Sequence, residues 1–143
     1  MKRTILILII LLISIPFSLS IIAADTPKPK ITVSAKLFDL GKIKPSEVKE
    51  YHLTVQNDGK ADLIINSVST DCPCTTFHFL TIEGTPQTDT QIIIPPGEKI
   101  ELKLTFDSKK TKHVGAFTKL ILIGSNDPDE PLKRVKMVGE IGE

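Results

Sequence analysis

Ile94-Pro95-Pro96-Gly97-Glu98-Lys99-Ile100-Glu101-Leu102-Lys103-Leu104-Thr105-Phe106 is the stretch on which the fold turns. From Ile100 to Phe106 the apolar residues Ile100, Leu102, Leu104 and Phe106 alternate with Glu101, Lys103 and Thr105. A period of two puts alternate side chains on opposite faces of an extended chain, so this is a strand with one face in a core and one in water. The Pro95-Pro96-Gly97 ahead of it ends a short apolar strand at 91–94, because proline cannot donate to a ladder and glycine allows a tight reversal.

Working outward, the same period recurs on both sides. Ile31, Val33, Ala35 and Leu37 alternate with Thr32, Ser34 and Lys36, which predicts a half-buried strand ended by Phe38-Asp39-Leu40-Gly41. After the turn residues Lys44-Pro45-Ser46-Glu47, Tyr51, Leu53 and Val55 share one face and His52, Thr54 and Gln56 the other; Asn57-Asp58-Gly59 then reads as a hairpin turn of residues that tolerate positive φ. Residues 63–68 are apolar on both faces, as in a strand inside a sheet. Phe77, Phe79 and Ile82 suggest a further strand or lid, 84–90 a polar connection, and 117–123 and 135–141 the last two strands, separated by Ser125-Asn126-Asp127-Pro128. No window of helical length carries apolar residues at three-and-four spacing, and the prolines outside the first 24 residues all fall in linkers or turns.

The expected fold is therefore all-β: an immunoglobulin-like β-sandwich of about seven strands, with a closed barrel as the alternative. With six Phe, one Tyr and no Trp in 143 residues, its core must be built from Ile, Leu and Val. The core is expected to include Leu37, Tyr51, Leu53, Val55, Ile65, Leu102, Leu104, Phe106, Ile121 and Val135.

The amino terminus has a different character. Met1-Lys2-Arg3 is followed by an uncharged apolar run over residues 4–24, the layout of a secretory signal that is also long enough to remain as an anchor. Residues 1–24 are thus read as a signal peptide or uncleaved anchor, 25–30 as a polar, proline-spaced tether, and 31–143 as one sandwich domain. No cysteine follows the run to take a lipid. The expected location is the periplasm or cell surface, with a membrane contact only through residues 4–24. Without Lys2 and Arg3, the 18 Lys plus Arg become 16 against 17 Asp plus Glu, a formal net of −1. The lysines are interspersed with acidic and neutral residues, so there is no one-signed stripe to bind nucleic acid.

Both cysteines lie in Thr70-Asp71-Cys72-Pro73-Cys74-Thr75. In a straight strand their α-carbons would stand about 7 Å apart, at the limit of disulfide reach, so pairing needs a bend that Pro73 is suited to make. Three states are open: a Cys72–Cys74 disulfide with a structural or redox role, a thiolate pair holding a copper-like ion or part of a zinc site, or two packed thiols. At one end of the sandwich, the sulfurs are expected to be reachable from solvent and a bridge easily reduced. A zinc site would need ligands from His52, His78 or His113, and Cys74 could share His78 only through a turn at Thr75-Thr76. His52 and His113 read as exposed. Asn126-Asp127-Pro128-Asp129-Glu130 gathers hard oxygens that could attract calcium, although the twelve-residue calcium-loop pattern is missing. No base or oxyanion donor is placed beside either cysteine, so no catalytic residue and no cofactor is assigned.

Six phrases then fall in order. Phe38-Asp39-Leu40-Gly41-Lys42-Ile43, Asn57-Asp58-Gly59-Lys60-Ala61-Asp62-Leu63-Ile64-Ile65, Asp71-Cys72-Pro73-Cys74-Thr75, Ile94-Pro95-Pro96-Gly97-Glu98, Leu104-Thr105-Phe106-Asp107-Ser108, and Ser125-Asn126-Asp127-Pro128 with Val138-Gly139-Glu140-Ile141 resemble the bacterial DUF1573 domains and the wider Hydin-like, choice-of-anchor D set. The departure is Pro73, where that family usually has glycine. The resemblance implies an exported immunoglobulin-like module without an established catalytic activity. The functional expectation is a non-enzymatic module of the bacterial cell envelope that binds an envelope protein, with thiol redox or copper-like metal binding at Cys72-Pro73-Cys74 as the alternative.

Overall fold

The computed structural model describes residues 26–80 and 91–142. Expectations about the signal or anchor, Asp25, Ile82 and the connection at 84–90 lie outside the described residues.

Among the described residues, nine strands form two facing sheets: β1 Ile31–Val33, β2 Leu37–Ile43, β3 Val48–Asn57, β4 Leu63–Thr70, β5 Thr75–Leu80, β6 Ile92–Ile94, β7 Lys99–Asp107, β8 Gly115–Ser125 and β9 Leu132–Ile141. One sheet has the order β1-β3-β7-β5 and the other β2-β9-β8-β4-β6. All pairings are antiparallel except β2 with β9. This is an immunoglobulin-like sandwich.

The alternation in β7 does what its sequence implies. Leu102, Leu104 and Phe106 are fully buried, and across the ladder Tyr51 faces Leu104 and Leu53 faces Leu102. Opposite them, β8 and β9 contribute Ile121, Ile123, Val135 and Met137, all without exposed surface. The Phe106 and Phe117 rings stack 5.0 Å apart between the sheets. The Pro95-Pro96-Gly97-Glu98 turn is closed by Glu98 N–H donating to the Pro95 carbonyl at 3.1 Å, with Gly97 at φ 80°, a value that suits glycine in the third position of such a turn.

Three expectations are corrected. The single strand over 31–37 is two strands in different sheets, and the crossing shifts the inward phase by one residue. Leu40 rather than Leu37 becomes buried, Leu37 is 55% exposed, and a bulge at Gly41, φ 63°, resets the phase so that Ile43 points in again. Tyr51 is half-buried rather than in the core, its ring 5.6 Å from Phe38 at the margin between the sheets. Asn57-Asp58-Gly59 makes no hairpin: β3 pairs with β1 and β7, and the turn carries the chain into the other sheet. Neither Asp58 nor Gly59 has positive φ. Gly59 is needed for space instead, since a Cβ there would run into the backbone of Lys28, Pro29 and Lys30. Those residues are packed on the turn, with Asp58 N–H donating to the Lys30 carbonyl at 2.9 Å and Lys60 N–H to the Lys28 carbonyl at 2.8 Å.

Candidate functional site

The strand register separates the loops into two groups. Turns 44–47, 71–74 and 108–114 lie at one end of the sandwich; 57–62, 95–98 and 126–131 lie at the other.

The cysteine pair is at the first end, where four residues carry the chain from β4 in one sheet to β5 in the other. Thr75 N–H donates to the Cys72 carbonyl at 3.1 Å, closing a turn with Pro73 at its second position, where the fixed φ of proline is already suitable. The turn draws the two α-carbons to 5.1 Å, and the sulfurs are joined as a disulfide. Thr70 Oγ1 stands 3.1 Å from both the Cys72 and the Thr75 carbonyl oxygens, and Asp107 N–H donates to the Cys74 carbonyl at 2.8 Å. The pair is not reachable in the way its place in the sequence suggests. Cys74 has no exposed surface, Cys72 has 8%, and both belong to the hydrophobic core. Bonded to each other, the sulfurs offer no thiolate to a metal or a substrate.

The histidines are elsewhere. His78 is on the outer face of β5, and because Thr75–Leu80 is one unbroken strand, the turn needed to bring it to Cys74 is not made. His52 Nδ1 lies 3.0 Å from Glu101 Oε2 on the same outer face. His113 is exposed, with Nε2 2.7 Å from the Ala116 carbonyl. Among the described residues, no three His, Cys, Asp or Glu side chains come together in a metal-binding group.

At the opposite end two buried polar side chains tie the loops together. Asn57 Nδ2 donates to the Ala61 and Ile94 carbonyls at 2.8 and 2.9 Å, while its Oδ1 accepts from Gly59 N–H at 2.9 Å. Asp127 accepts from the backbone N–H groups of Ile31, Asp129 and Glu130 at 2.8, 2.9 and 3.2 Å. Burial alone would raise its pKa, but those three donors and the nearby Lys133 ammonium outweigh burial and hold it below the ordinary value. The calcium expectation is thereby corrected, because the Asp127 oxygens already serve the backbone. Both residues had a signal in the sequence: they continue the inward parity of Leu53-Val55 and of Ile121-Ile123-Ser125, where a polar side chain must be buried with partners.

A family model described as protein of unknown function (DUF1573) matches residues 31–141. No curated protein matches. Among solved structures, a protein of unknown function from Porphyromonas gingivalis superposes with a TM-score of 0.64 at 24% identity, over 78% of this chain and 46% of that one. The chain thus spans less than half of that protein. The human CEP192 PapD-like domain 7 gives 0.55 at 16% identity, over 81% and 87%. The YadV chaperone gives 0.53 at 14% identity, over 79% and 52%. At these identities the likeness is one of fold.

Proposed function

The chain belongs to the DUF1573 family, and from that premise we propose that it is a non-enzymatic protein-interaction module exported to the bacterial cell envelope. The observation that carries this reading is the edge at β5, which among the described residues has a neighbour on one side only. Sheet proteins ordinarily blunt their edges with short strands, bulges, lysine or proline. β1 and β6 have three residues each, and β2 is bulged at Gly41. β5, Thr75-Thr76-Phe77-His78-Phe79-Leu80, has six residues with no lysine, proline or bulge, and among the described residues it pairs only with β7. Such an edge can accept an extended strand from a partner through main-chain hydrogen bonds. The PapD-like and chaperone domains named above have the same fold and support a binding role by analogy only.

The second reading is thiol redox at Cys72 and Cys74, favoured by one fact, that the two cysteines are bonded as neighbours in a turn; copper-like binding would need that bond reduced first. Pull-down from envelope extracts separates the two. A partner retained by Cys72→Ala, Cys74→Ala supports the interaction module, whereas loss of the partner or of an activity in that variant alone supports thiol chemistry. For export, mass spectrometry of the envelope fraction should find a chain that starts at Asp25 or one that keeps Met1 as an anchor; a cytoplasmic pool would contradict both.

A further inference from the structure

We propose that the outer face of the five-stranded sheet is a second docking surface of this module, apart from the β5 edge, and that the partner it takes is a protein surface of aliphatic side chains flanked by carboxylates. The inference rests on the interaction reading and names the surface and its chemistry.

The two outer faces differ in kind. An antiparallel sheet with one face on a core should be polar on the other. The four-stranded sheet is mostly polar outside, and polar partners meet across its strands: Lys103 pairs with Glu50 at 2.7 Å, and His52 Nδ1 lies 3.0 Å from Glu101, although Val48 there is 51% exposed. The five-stranded sheet departs further. On its outer face the register sets Leu37 and Leu120 on either side of Lys136, and Leu122 beside Arg134; Leu132 follows at the end of β9. Leu37 is 55% and Leu132 36% exposed, and Leu120 and Leu122 are half-buried. Among the described residues, neither Arg134 nor Lys136 forms a salt bridge.

Covering those leucines removes apolar surface from water, but it also desolvates two cations, which is costly unless the partner brings carboxylates. Arg134 and Lys136 are two residues apart on one strand, so acidic groups about 7 Å apart would meet both. A second copy is a poor occupant of the leucine patch, because a two-fold axis through it would set Arg134 and Lys136 against their own copies. A lipid surface is also a poor match, since the chain has no Trp to anchor at a membrane interface and a single Tyr, Tyr51, which faces inward.

The test places a photo-crosslinking side chain at Leu122, and separately at Thr76 on the outer face of β5, in the full chain expressed in its native cells. The expected result is a protein adduct at 122 whose crosslinked peptide carries Asp or Glu beside aliphatic residues. That adduct should fall at least tenfold in Arg134→Glu, Lys136→Glu, a surface variant whose unchanged circular dichroism and melting point confirm folding. An adduct at 76 alone overturns this surface and leaves the interaction module standing. A lipid adduct at 122, or one indifferent to charge reversal, overturns the proposed chemistry. No adduct at either position together with an empty pull-down removes both proposals.

Discussion

Cys74 is fully buried and Cys72 nearly so, so a thiolate in solvent meets little of either sulfur. Thiol–disulfide exchange requires in-line access. The folded protein is therefore expected to resist dithiothreitol and to show no thiol to an alkylating reagent until denaturant is added, when two thiols should be labelled. Rapid reduction under native conditions would mean that the turn opens without unfolding. Asp127 yields a prediction with a pH window. Its carboxyl is held below the ordinary 3.8, so its contribution is fully present above the unfolded value and is lost as pH falls through the folded one. Asp127→Ala should cost about 2 kcal/mol at neutral pH, since the buried Ile31 N–H and the part-buried Asp129 and Glu130 N–H groups lose a charged acceptor. The gap to wild type should narrow on acidification below about pH 4; chemical denaturation from pH 7 to pH 2.5 measures it, and a gap independent of pH would assign the cost to packing alone.

The strands of the core were legible because alternation is local: β3 and β7 were readable from parity and β8 and β9 as apolar runs, but Asn57 and Ser125, buried at the ends of β3 and β8, read as turn residues. The sheet change after Val33 was not. Nothing in Ser34-Ala35-Lys36 differs from a continuing strand, and only the inward phase of Leu40, fixed by pairing with β9 nearly a hundred positions later, shows that the chain has crossed. Gly59 carries a similar long-range meaning. It looks like a turn glycine, yet its lack of a side chain is what lets Lys28, Pro29 and Lys30 lie on the turn and lead into β1. Gly59→Ala should push that segment away and weaken β1, costing roughly 1 to 3 kcal/mol as an overpacking change. Limited proteolysis should then cut near Lys28 and Lys30 in the variant and spare them in the wild type. Equal cleavage would show that the segment contributes nothing to the fold.

At the scale of the molecule, the disulfide state and the docking face could not be read from the sequence, because each depends on which strands become neighbours. Leu37, Leu120 and Leu122 look like core residues in a list of alternating positions; only the register turns them outward beside Lys136 and Arg134. The same long-range pairing sets the folding kinetics. Val48 pairs with Asp107, Leu37 with Lys136 and Ile31 with Asn57, so little of the sandwich can form before distant segments meet and the entropy of closing those loops has been lost. Domains dominated by such contacts refold in milliseconds to seconds rather than microseconds. Stopped-flow refolding of the domain from residue 26, without its apolar amino terminus, should fall in that range. Because β3 and β7 form the central ladder of one sheet, Leu104→Ala should slow refolding and lower stability by about 2 to 5 kcal/mol. Truncating Ile93 on the short edge strand β6, where the side chain is 58% exposed, should leave the refolding rate nearly unchanged. Microsecond refolding, or equal slowing by both substitutions, would contradict a sandwich nucleated on its central ladder.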